Sequence, residues 1–242
     1  MTQLFLSLII PVYNEEDRIS DTLQTCLRYL RNQSYSSEII VVDDGSTDTT
    51  ADLVQKIVSE CRAVKLLRLR HKGKGWAVKN GMLAGTGQYR FLADADLSMP
   101  IEYLERFLPP ISVDIDIAIG SREYLGARRF DEPILRHIQG RAFNWIVRAL
   151  AVRGIKDTQC GFKCFSEKAA NMLFPLQLSN GFGFDVEVLF LAQKKRLAIN
   201  EIPVDWYYRE GSKVRPIMDS ILMFKDILAT RINNLMGKYK LH

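Results

Sequence analysis

The sequence predicts an α/β fold in which a mostly parallel central sheet carries helices on both faces. Three observations favour this class. Short runs of β-forming residues alternate with segments of helical hydrophobic spacing in the first half of the chain. The 242 residues suffice for one large domain, and 47% apolar with 25% charged residues is ordinary globular usage. Segments rich in carboxylates, lysines and glycines follow the predicted strands, at the edge where ligands bind in such sheets.

The first half is predicted to contain five strands and three helices. The strands are expected at Leu6–Ile10, Glu38–Val42, Val64–Leu69, Tyr89–Ala93 and Ile115–Gly120. Helices are expected at Glu16–Arg31 and Thr49–Cys61, where apolar residues recur at helical spacing, and a short helix is expected at Gly75–Leu83. Pro11 is expected to end the first strand.

The second half is predicted to contain more helix. The helices are expected at Ile134–Val152, Ser166–Phe174, Phe184–Lys195 and Pro216–Met236, and the strands at Asp157–Phe165 and Ile199–Tyr207. Pro203 places the second of these strands at a sheet edge, because proline donates no ladder hydrogen bond. Since no Gly-, Ser- or Pro-rich linker divides the halves, we expect one continuous domain over residues 1–215, followed by a basic amphipathic helix over residues 216–242.

The charge of the chain is concentrated in two zones. The net charge is +5, yet residues 61–93 contain eight basic and no acidic side chains, and residues 213–242 are also basic overall. A protein coated for nucleic-acid binding would be basic throughout, so we expect no nucleic-acid partner. Local basic zones fit phosphates in a cleft or anionic lipid heads.

The cysteines and the apolar runs indicate the compartment. The four cysteines lack the paired spacing of a zinc site, so we expect reduced structural thiols. The longest apolar stretch, Leu4–Val12, is about half the length of a membrane span, and no basic region precedes it as in a signal peptide. We therefore expect a cytoplasmic protein, either soluble or peripheral on the inner face of the membrane.

Asp94-Ala95-Asp96 follows the fourth predicted strand. Two carboxylates so placed can face one cleft, and oxygen ligands of this kind suit Mg²⁺ or Mn²⁺ shared with substrate phosphates. A metal there would neutralise charge on a departing diphosphate. Two exposed acids on a turn are also common, but the acid-free basic stretch that precedes them favours the metal site.

Three further segments lie at the expected cleft edge. Asp43 or Asp44 is available to bind a ribose or a base, if Ser46 and Asp48 suffice to cap the next helix. Tyr13 can stack on a base, and Glu15 can hydrogen-bond to it. The segment His71-Lys72-Gly73-Lys74-Gly75 opens a helix, where glycines allow close approach and Lys74 supplies charge to an anion.

Arginines cluster in the second half of the chain. Gly120-Ser121-Arg122 is followed by Arg128, Arg129 and Arg136, and Lys213 lies in a later basic segment. Because guanidinium groups grip phosphate in two-point fashion, a second anionic group beyond the donor is indicated. For each arginine taken separately, a solvated surface side chain is the alternative.

Together these segments resemble the family 2 glycosyltransferases of the GT-A fold. Within that family the chain looks like the dolichyl-phosphate β-glucosyltransferases and their polyprenyl-phosphate relatives. The matching segments are PVYNEEDRI (11–19), VVDDGSTD (41–48), KGKGWAVKNGM (72–82), ADADLS (93–98), GSR (120–122), KDTQCGFKCF (156–165), FDVEVLFLAQ (184–193) and EGSKV (210–214). The first segments are typical of family 2 in general, whereas DTQCGFK, FDVE and EGSK favour the lipid-phosphate branch.

The resemblance implies an inverting transfer of glucose from UDP-glucose to a polyprenyl or dolichyl phosphate. By position, it implies nucleotide-sugar binding by Pro11, Tyr13, Glu15, Asp43, Asp44, Lys74, Asp94 and Ala95, and metal binding by Asp94 and Asp96. It assigns the acceptor phosphate to Arg122, Arg136 and Lys213, and catalysis to Asp94, Asp96, Arg122 and Asp185. It divides the domain into a nucleotide-sugar half, residues 1–122, and an acceptor half, residues 123–215. Members of this branch often have a membrane-spanning segment, for which this sequence offers no candidate.

Chemistry favours a phosphate acceptor. A hydroxyl acceptor needs a general base, for which Asp185 is the weak candidate, whereas a phosphate is already an anion and needs only to be held. The alternatives are a family 2 transferase acting on a hydroxyl of a polysaccharide or glycolipid, a nucleotidyltransferase, and a lipid-surface binding module without activity.

The last predicted helix, with apolar residues from Ile217 to Leu235 and basic residues nearby, fits peripheral membrane contact. Packing on the core or on a second copy is the alternative, and the sequence leaves a homo-oligomer open.

Overall fold

The computed structural model describes residues 3–110, 112, 114–131, 133, 151–209 and 216–240. The strands in these ranges are β1 (Leu6–Val12), β2 (Ser37–Asp43), β3 (Val64–Arg68), β4 (Tyr89–Leu92), β5 (Ile117–Ser121), β6 (Arg128–Phe130), β7 (Lys163–Ser166), β8 (Ile199–Pro203) and β9 (Asp205–Tyr207). The α-helices are α1 (Ile19–Arg31), α2 (Thr50–Glu60), α3 (Lys74–Ala84), α4 (Glu167–Leu173), α5 (Phe184–Lys194) and α6 (Pro216–Leu235). Short 3-10 helices form at Ile101–Phe107 and Phe174–Leu176. The helix expected at Ile134–Val152 lies almost entirely outside the described residues.

The central sheet is mostly parallel, as predicted. Its order is β3-β2-β1-β4-β7-β5-β8, and only β7 runs antiparallel to its neighbours β4 and β5 in this described sheet. Strands β6 and β9 form a separate parallel pair. Because β7 comes from the second half of the chain and lies beside β4, it brings late sequence next to the Asp94 segment.

The core lies on both faces of the sheet. In β1, Ile9 packs with α3 and the helices of the second half, whereas Leu8 and Ile10 pack with α1 on the other face. This alternation follows from the two-residue period of a strand, and burial on both faces explains the unbroken apolar run. Helix α3 approaches the sheet closely at Gly81, where a Cβ atom would lie 2.5 Å from Ile9.

Strand β1 continues through Pro11, where the sequence predicted its end. The Ile9 carbonyl accepts the N–H of Ala93, so the backbone groups of Ile9 face β4. Because backbone groups two residues apart in a strand point the same way, those of Pro11 face β4 as well. The pairing of β1 with β4 ends at Ile9 and Leu92. The missing N–H of Pro11 therefore falls where no strand needs a donor, and the pairing with Val42 of β2 is kept.

The strand predicted at Asp157–Phe165 is wrong over its first part, since β7 begins only at Lys163. The Asp157 carboxylate accepts the N–H of Gln159 in a local turn, which competes with a strand ladder. Cys160 and Phe162 are nevertheless buried, as their predicted packing role requires.

The strand predicted at Ile199–Tyr207 is divided in two. Residues up to Pro203 form β8, and residues from Asp205 form β9 in the smaller sheet. Strand β8 lies at the edge of the central sheet, as Pro203 predicts. The chain thus changes sheets at Val204, and β9 brings Trp206 towards Arg122, with the guanidinium 5.6 Å from the ring centre.

All four cysteines are free thiols and three of them are buried, which confirms the prediction that they are reduced structural residues. Across the ranges that the structure describes, no helix combines the length and apolar character needed to cross a membrane.

Candidate active site

The segments that follow β1, β2 and β4 meet at the carboxyl edge of the sheet. Strands β1 and β2 end side by side, with Val12 opposite Asp43 and the N–H of Asp44 donating to the Val12 carbonyl. Strand β4 ends beside β1, so Asp94 lies at the same edge. The sequence therefore placed the aspartate segments correctly relative to one another.

The surroundings of Asp94 lower its pKa, whereas those of Asp96 raise its pKa. The Lys74 ammonium group lies 2.5 Å from Asp94 Oδ1. Burial by itself would raise the pKa of Asp94, but Lys74, together with Lys163 and Arg122, outweighs burial and holds it below its usual value. Burial and the neighbouring Asp94 charge both raise the pKa of Asp96. The pair is therefore short of positive charge on the Asp96 side.

The Asp94 carboxylate is packed against Gly161. A Cβ atom at residue 161 would overlap both the Asp94 oxygens and the carbon between them. Only glycine leaves room for the carboxylate there, so the DTQCGFK segment forms one wall of the site.

Asp185 lies in the same charged cluster, in the first turn of α5. Its Oδ1 is 2.6 Å from Lys163 Nζ, and Lys163 is 1% exposed. Burial raises the pKa of Asp185, and the charges of Lys163 and Lys74 offset this only in part. The expected weak base is thus a buried carboxylate whose ammonium partner holds one of its oxygens.

Arg122 follows β5 and is held by Asp157. Its Nε and a terminal guanidinium nitrogen donate to the two Asp157 oxygens at 2.7 and 3.0 Å, and its backbone N–H donates to the same carboxylate at 2.9 Å. The guanidinium outweighs the effect of burial and lowers the pKa of Asp157 to about 2. Because the segment that holds Arg122 through Asp157 also borders Asp94 through Gly161, the fixed guanidinium belongs to the same cleft.

The VVDDGS segment is less open than the sequence suggested. The Asp44 oxygens accept the backbone N–H groups of Lys72 and Gly73 at 3.0 and 2.8 Å, so Asp44 holds the loop that precedes α3. Asp43 Oδ1 accepts the N–H of Ser46 at 3.0 Å. Asp43 Oδ2 is buried and accepts no hydrogen bond from the described residues, which suits a donor group on a ligand.

The segment after β1 is fixed to the segment after β2. Asn14 has a positive φ of 54°, and its backbone N–H donates to Ser46 Oγ at 2.8 Å. The N–H of Glu15 donates to Thr50 Oγ1 at 2.7 Å, which directs the chain into α1. The Tyr13 ring stacks on His71 at 4.2 Å and 20°, so the stacking predicted for Tyr13 already has an imidazole partner.

Gly73 and Gly75 approach the protein itself. A Cβ at Gly73 would lie 2.6 Å from the Asn180 carbonyl oxygen, and a Cβ at Gly75 would lie 2.7 Å from the carbonyl oxygen of Gly181. The close approach that the sequence predicts at these glycines is thus made, at their α-carbons, to the protein's own loop. They seat the start of α3 on the loop 179–181, and this fixes Lys74.

The remaining sequence-predicted residues divide into two groups. Ala95 is buried, and its carbonyl accepts the Thr22 hydroxyl at 2.5 Å, so its backbone supports the Asp94–Asp96 turn. Arg136 and Lys213 lie outside the described residues.

Sequence reasoning missed three residues that shape the cleft. Lys163 is a charged residue inside a buried strand, Asp157 carries Arg122, and Gly161 borders Asp94. A fully buried lysine between apolar neighbours in the run Gly161–Phe165 was the available signal, because such a charge requires a partner.

The donor set fits a divalent cation shared with a substrate. No group of three or more His, Cys, Asp or Glu side chains among the described residues is arranged to hold a metal ion by itself. Mg²⁺ and similar cations are, however, commonly bound by one or two carboxylates together with phosphate oxygens and water. Burial raises the pKa of Asp96, and the neighbouring Asp94 charge raises it further by a repulsion that such a cation would relieve.

Comparison with known proteins identifies similar sequences along almost the whole chain. A family model described as Glycosyl transferase family 2 matches residues 7–171. Proteins named dolichyl-phosphate beta-glucosyltransferase are 38% identical in Dictyostelium discoideum, 37% in Saccharomyces cerevisiae and 34% in Homo sapiens. Each alignment covers 98% of this chain and 77–78% of the relative.

Solved structures with a similar fold include glucosyl-3-phosphoglycerate synthase from Mycobacterium tuberculosis. Its complex with uridine diphosphate has a TM-score of 0.69 and 18% identity, covering 94% of this chain and 80% of the synthase. Its complex with Mn²⁺, UDP-glucose and phosphoglyceric acid has a TM-score of 0.68 and 17% identity, covering 94% and 79%. At these identities the likeness shows a shared fold.

Proposed function

Because the chain belongs to glycosyl transferase family 2, we propose that it transfers glucose from UDP-glucose to dolichyl phosphate or a related polyprenyl phosphate. The chain is a glycosyltransferase of the GT-A fold, and its named relatives transfer glucose to dolichyl phosphate. The observation that carries the proposal is the cleft around Asp94, where Lys74 pairs with Asp94 and the 157–161 segment borders Asp94 at Gly161 while holding the Arg122 guanidinium at Asp157.

The nucleotide would bind where β1 and β2 end. Asp43 Oδ2 supports this placement, because it is a buried acceptor suited to a base or ribose donor. The stack of Tyr13 on His71 forms an aromatic wall near the same edge. Pro11, Glu15 and the backbone of Ala95 would line the site, whereas Asp44 acts by fixing the 72–73 loop.

The diphosphate would lie at Asp94 and Asp96 with Mg²⁺ or Mn²⁺. A bound divalent cation would neutralise the charge that develops on the departing UDP. Lys74, held between Gly73 and Gly75, would contribute a fixed ammonium group to the same oxygens. Charge compensation by residues already in place needs little reorganisation during the reaction.

The acceptor phosphate would lie on the Arg122 side of the cleft. Its oxygen attacks the anomeric carbon of glucose while the bond to UDP breaks, and UDP leaves with the bonding electrons from the opposite face, so that the configuration inverts. The phosphate is already an anion and needs no general base. This agrees with Asp185, the one base candidate that the sequence offered, being paired to Lys163.

Radiolabelled UDP-glucose offered to dolichyl phosphate tests the proposal. We expect label to enter the lipid fraction with release of UDP, and EDTA to abolish transfer until Mg²⁺ or Mn²⁺ is restored. Label that enters only a hydroxyl sugar acceptor would refute the lipid acceptor. Undiminished transfer in EDTA would refute the metal role, and release of pyrophosphate in place of UDP would refute the transferase chemistry.

Helix α6 supports peripheral membrane contact as part of this proposal. One side of the helix packs on the core through Met223, Ile227 and Thr230. Large apolar side chains elsewhere on α6 and just after it are 39–86% exposed, namely Met218, Ile221, Leu222, Phe224, Leu228, Ile232, Leu235 and Met236. Basic residues close to them are exposed as well, as in helices that lie in a membrane interface. The sequence offered core packing and membrane contact as alternatives for this helix. In the structure one side of α6 packs on the core, and another side is exposed, as the membrane contact proposed here requires.

Replacing Leu228 and Ile232 together by Glu should reduce co-sedimentation with anionic vesicles by about tenfold or more, because two exposed apolar side chains that would enter the membrane interface are exchanged for charges. Leu83→Glu is the matched control, since Leu83 is 43% exposed on α3. Equal vesicle binding by the double variant and the control would contradict a membrane role for α6.

A further inference from the structure

The first turn of α5 carries two acidic residues with different surroundings. Asp185 and Glu187 are two positions apart, which on a helix separates them by about 200° around the axis. Asp185 pairs with Lys163 in the cleft. Glu187 is 1% exposed, and the reaction proposed above does not use it.

The Glu187 carboxylate joins two separate segments. Its Oε2 accepts the backbone N–H groups of Leu178 at 3.0 Å and Ser179 at 2.8 Å. Its Oε1 accepts the Tyr239 hydroxyl at 2.6 Å. Burial raises the pKa of Glu187, and the hydrogen bonds from these three donors offset that effect only in part. Since Tyr239 comes after α6, Glu187 ties the C-terminal segment to the segment at 178–179.

Residues 178–181, which we call the seat loop, carry the start of α3. The N–H of Trp76 donates to the Asn180 carbonyl at 3.1 Å. The Gln177 side-chain amide donates to the carbonyls of Gly75 and Ser179, each at 2.8 Å. Together with the close approach of the loop to Gly73 and Gly75, these contacts define where Lys74 stands relative to Asp94.

Helix α6 holds the seat loop from a second point. Ser179 Oγ donates to Asp226 Oδ2 at 2.9 Å. A Cβ atom at Gly183 would overlap the Asp226 side chain, so α6 and the start of α5 are in direct contact. The C-terminal segment therefore reaches the seat loop through both Asp226 and the pair of Tyr239 with Glu187.

We infer that Glu187 is a positioning residue for the donor diphosphate, and that the Tyr239 hydroxyl, by donating to the Glu187 carboxylate, is needed for this positioning. The contacts run from Tyr239 to Glu187, through the seat loop to the start of α3, and from Lys74 to Asp94. The inference rests on the proposed function in one respect, because it takes the ligand at Lys74 and Asp94 to be the donor diphosphate. It makes the C-terminal segment part of the donor site.

Tyr239→Phe tests this with the loss of a single hydroxyl. We expect the Kd for UDP with Mn²⁺ to rise about tenfold, the usual scale for a lost hydrogen bond to a charged group. The KM for UDP-glucose should rise by the same factor, whereas the KM for dolichyl phosphate should stay unchanged. Without any ligand, amide hydrogen exchange at Trp76, Leu178 and Ser179 should become faster.

Two comparisons separate positioning from general support. Tyr35→Phe removes the buried hydroxyl of a part-buried side chain at the other end of the sheet, next to Phe5, and should leave the Kd for UDP unchanged. Glu187→Gln keeps an oxygen for the two backbone donors and should bind UDP better than Glu187→Ala.

If folded Tyr239→Phe and Glu187→Ala bind UDP as the wild type does and differ only in melting temperature, the positioning role is overturned. A wild type that binds UDP with Mn²⁺ but does not glucosylate dolichyl phosphate would overturn the proposed acceptor and leave this inference to be judged by the Kd values. A wild type that binds no UDP would overturn both.

Discussion

Replacing Asp96 by Asn is expected to lower glucosyl transfer by on the order of 10²–10³-fold, the usual effect of removing one group that stabilises charge in a transition state. The protein should nevertheless be at least as stable as the wild type. In the absence of a metal, Asp96 is a half-buried carboxylate beside a second carboxylate, and both effects raise its pKa. Removing that charge relieves repulsion, which is the trade between stability and activity expected at a functional site.

Thermal unfolding with and without Mn²⁺ and UDP gives the decisive comparison. The ligands should raise the melting temperature of the wild type and have little effect on Asp96→Asn, because a ligand stabilises only a native state that binds it. Asp52→Asn, on the exposed face of α2, is the matched control and should behave as wild type in both assays. Full activity of Asp96→Asn, or an unchanged response to Mn²⁺, would contradict the metal assignment.

Asp94→Asn should be equally inactive but less stable. The wild-type carboxylate is paired with Lys74 at 2.5 Å and has a lowered pKa, so its removal leaves a partly buried ammonium group without its main partner. The two neighbouring aspartates therefore make opposite predictions for stability and the same prediction for activity. Measuring melting temperature and transfer rate on both variants distinguishes this arrangement from a pair of equivalent surface acids.

Local periodicity was sufficient to predict the elements around the donor half of the site. The helices and strands from Leu6 to Ala84 lie within a few residues of their expected bounds, because α1 and α2 have a clear helical period and the strands are short apolar runs followed by polar residues. The rule that ligands bind at the carboxyl edge of a parallel sheet then placed Asp43, Asp94 and Arg122 in one region. These predictions needed no knowledge of long-range packing.

The errors arose where a contact distant in sequence decides the local structure. Residues 157–162 are not a strand, because the Asp157 carboxylate accepts hydrogen bonds from Arg122 and Gly161 leaves room for the Asp94 carboxylate. The sequence predicts close backbone approach at Gly73 and Gly75, but it does not show that the backbone they approach is the seat loop, about 100 residues later in the chain. A single sequence contains no local trace of such pairings.

Replacing Arg122 by Lys is expected to reduce transfer to dolichyl phosphate far more than it reduces slow hydrolysis of UDP-glucose to water. We expect a loss of transfer on the order of 10²-fold, because lysine keeps the charge but not the planar two-point grip on an anion. Hydrolysis uses the donor site at Asp94 and Asp96 and needs no acceptor phosphate. The ratio of labelled lipid to free glucose, measured in one reaction, reports the difference directly.

Lysine is preferred to alanine at this position because of Asp157. Arg122→Ala would leave a buried carboxylate unpaired, which costs about 3–5 kcal/mol, and a general loss of folded protein would then obscure the acceptor effect. Lys163→Arg offers no substitute control, since Lys163 is itself part of the cleft. Lys156→Arg is the matched surface change and should leave the ratio of transfer to hydrolysis unaltered.

Acid unfolding provides an independent check that the lysine variant has changed the intended pair. The folded-state pKa of Asp157 is about 2, below its value in the unfolded chain. The stability from this pair is therefore fully present above the unfolded pKa of about 4 and is lost as the pH falls towards 2. A weaker partner raises the folded pKa, so Arg122→Lys should begin to unfold at a higher pH than the wild type. If this shift occurs while transfer and hydrolysis fall together, Arg122 supports the fold of the cleft and does not select the acceptor. If transfer falls and hydrolysis does not, the guanidinium is the group that receives the lipid phosphate.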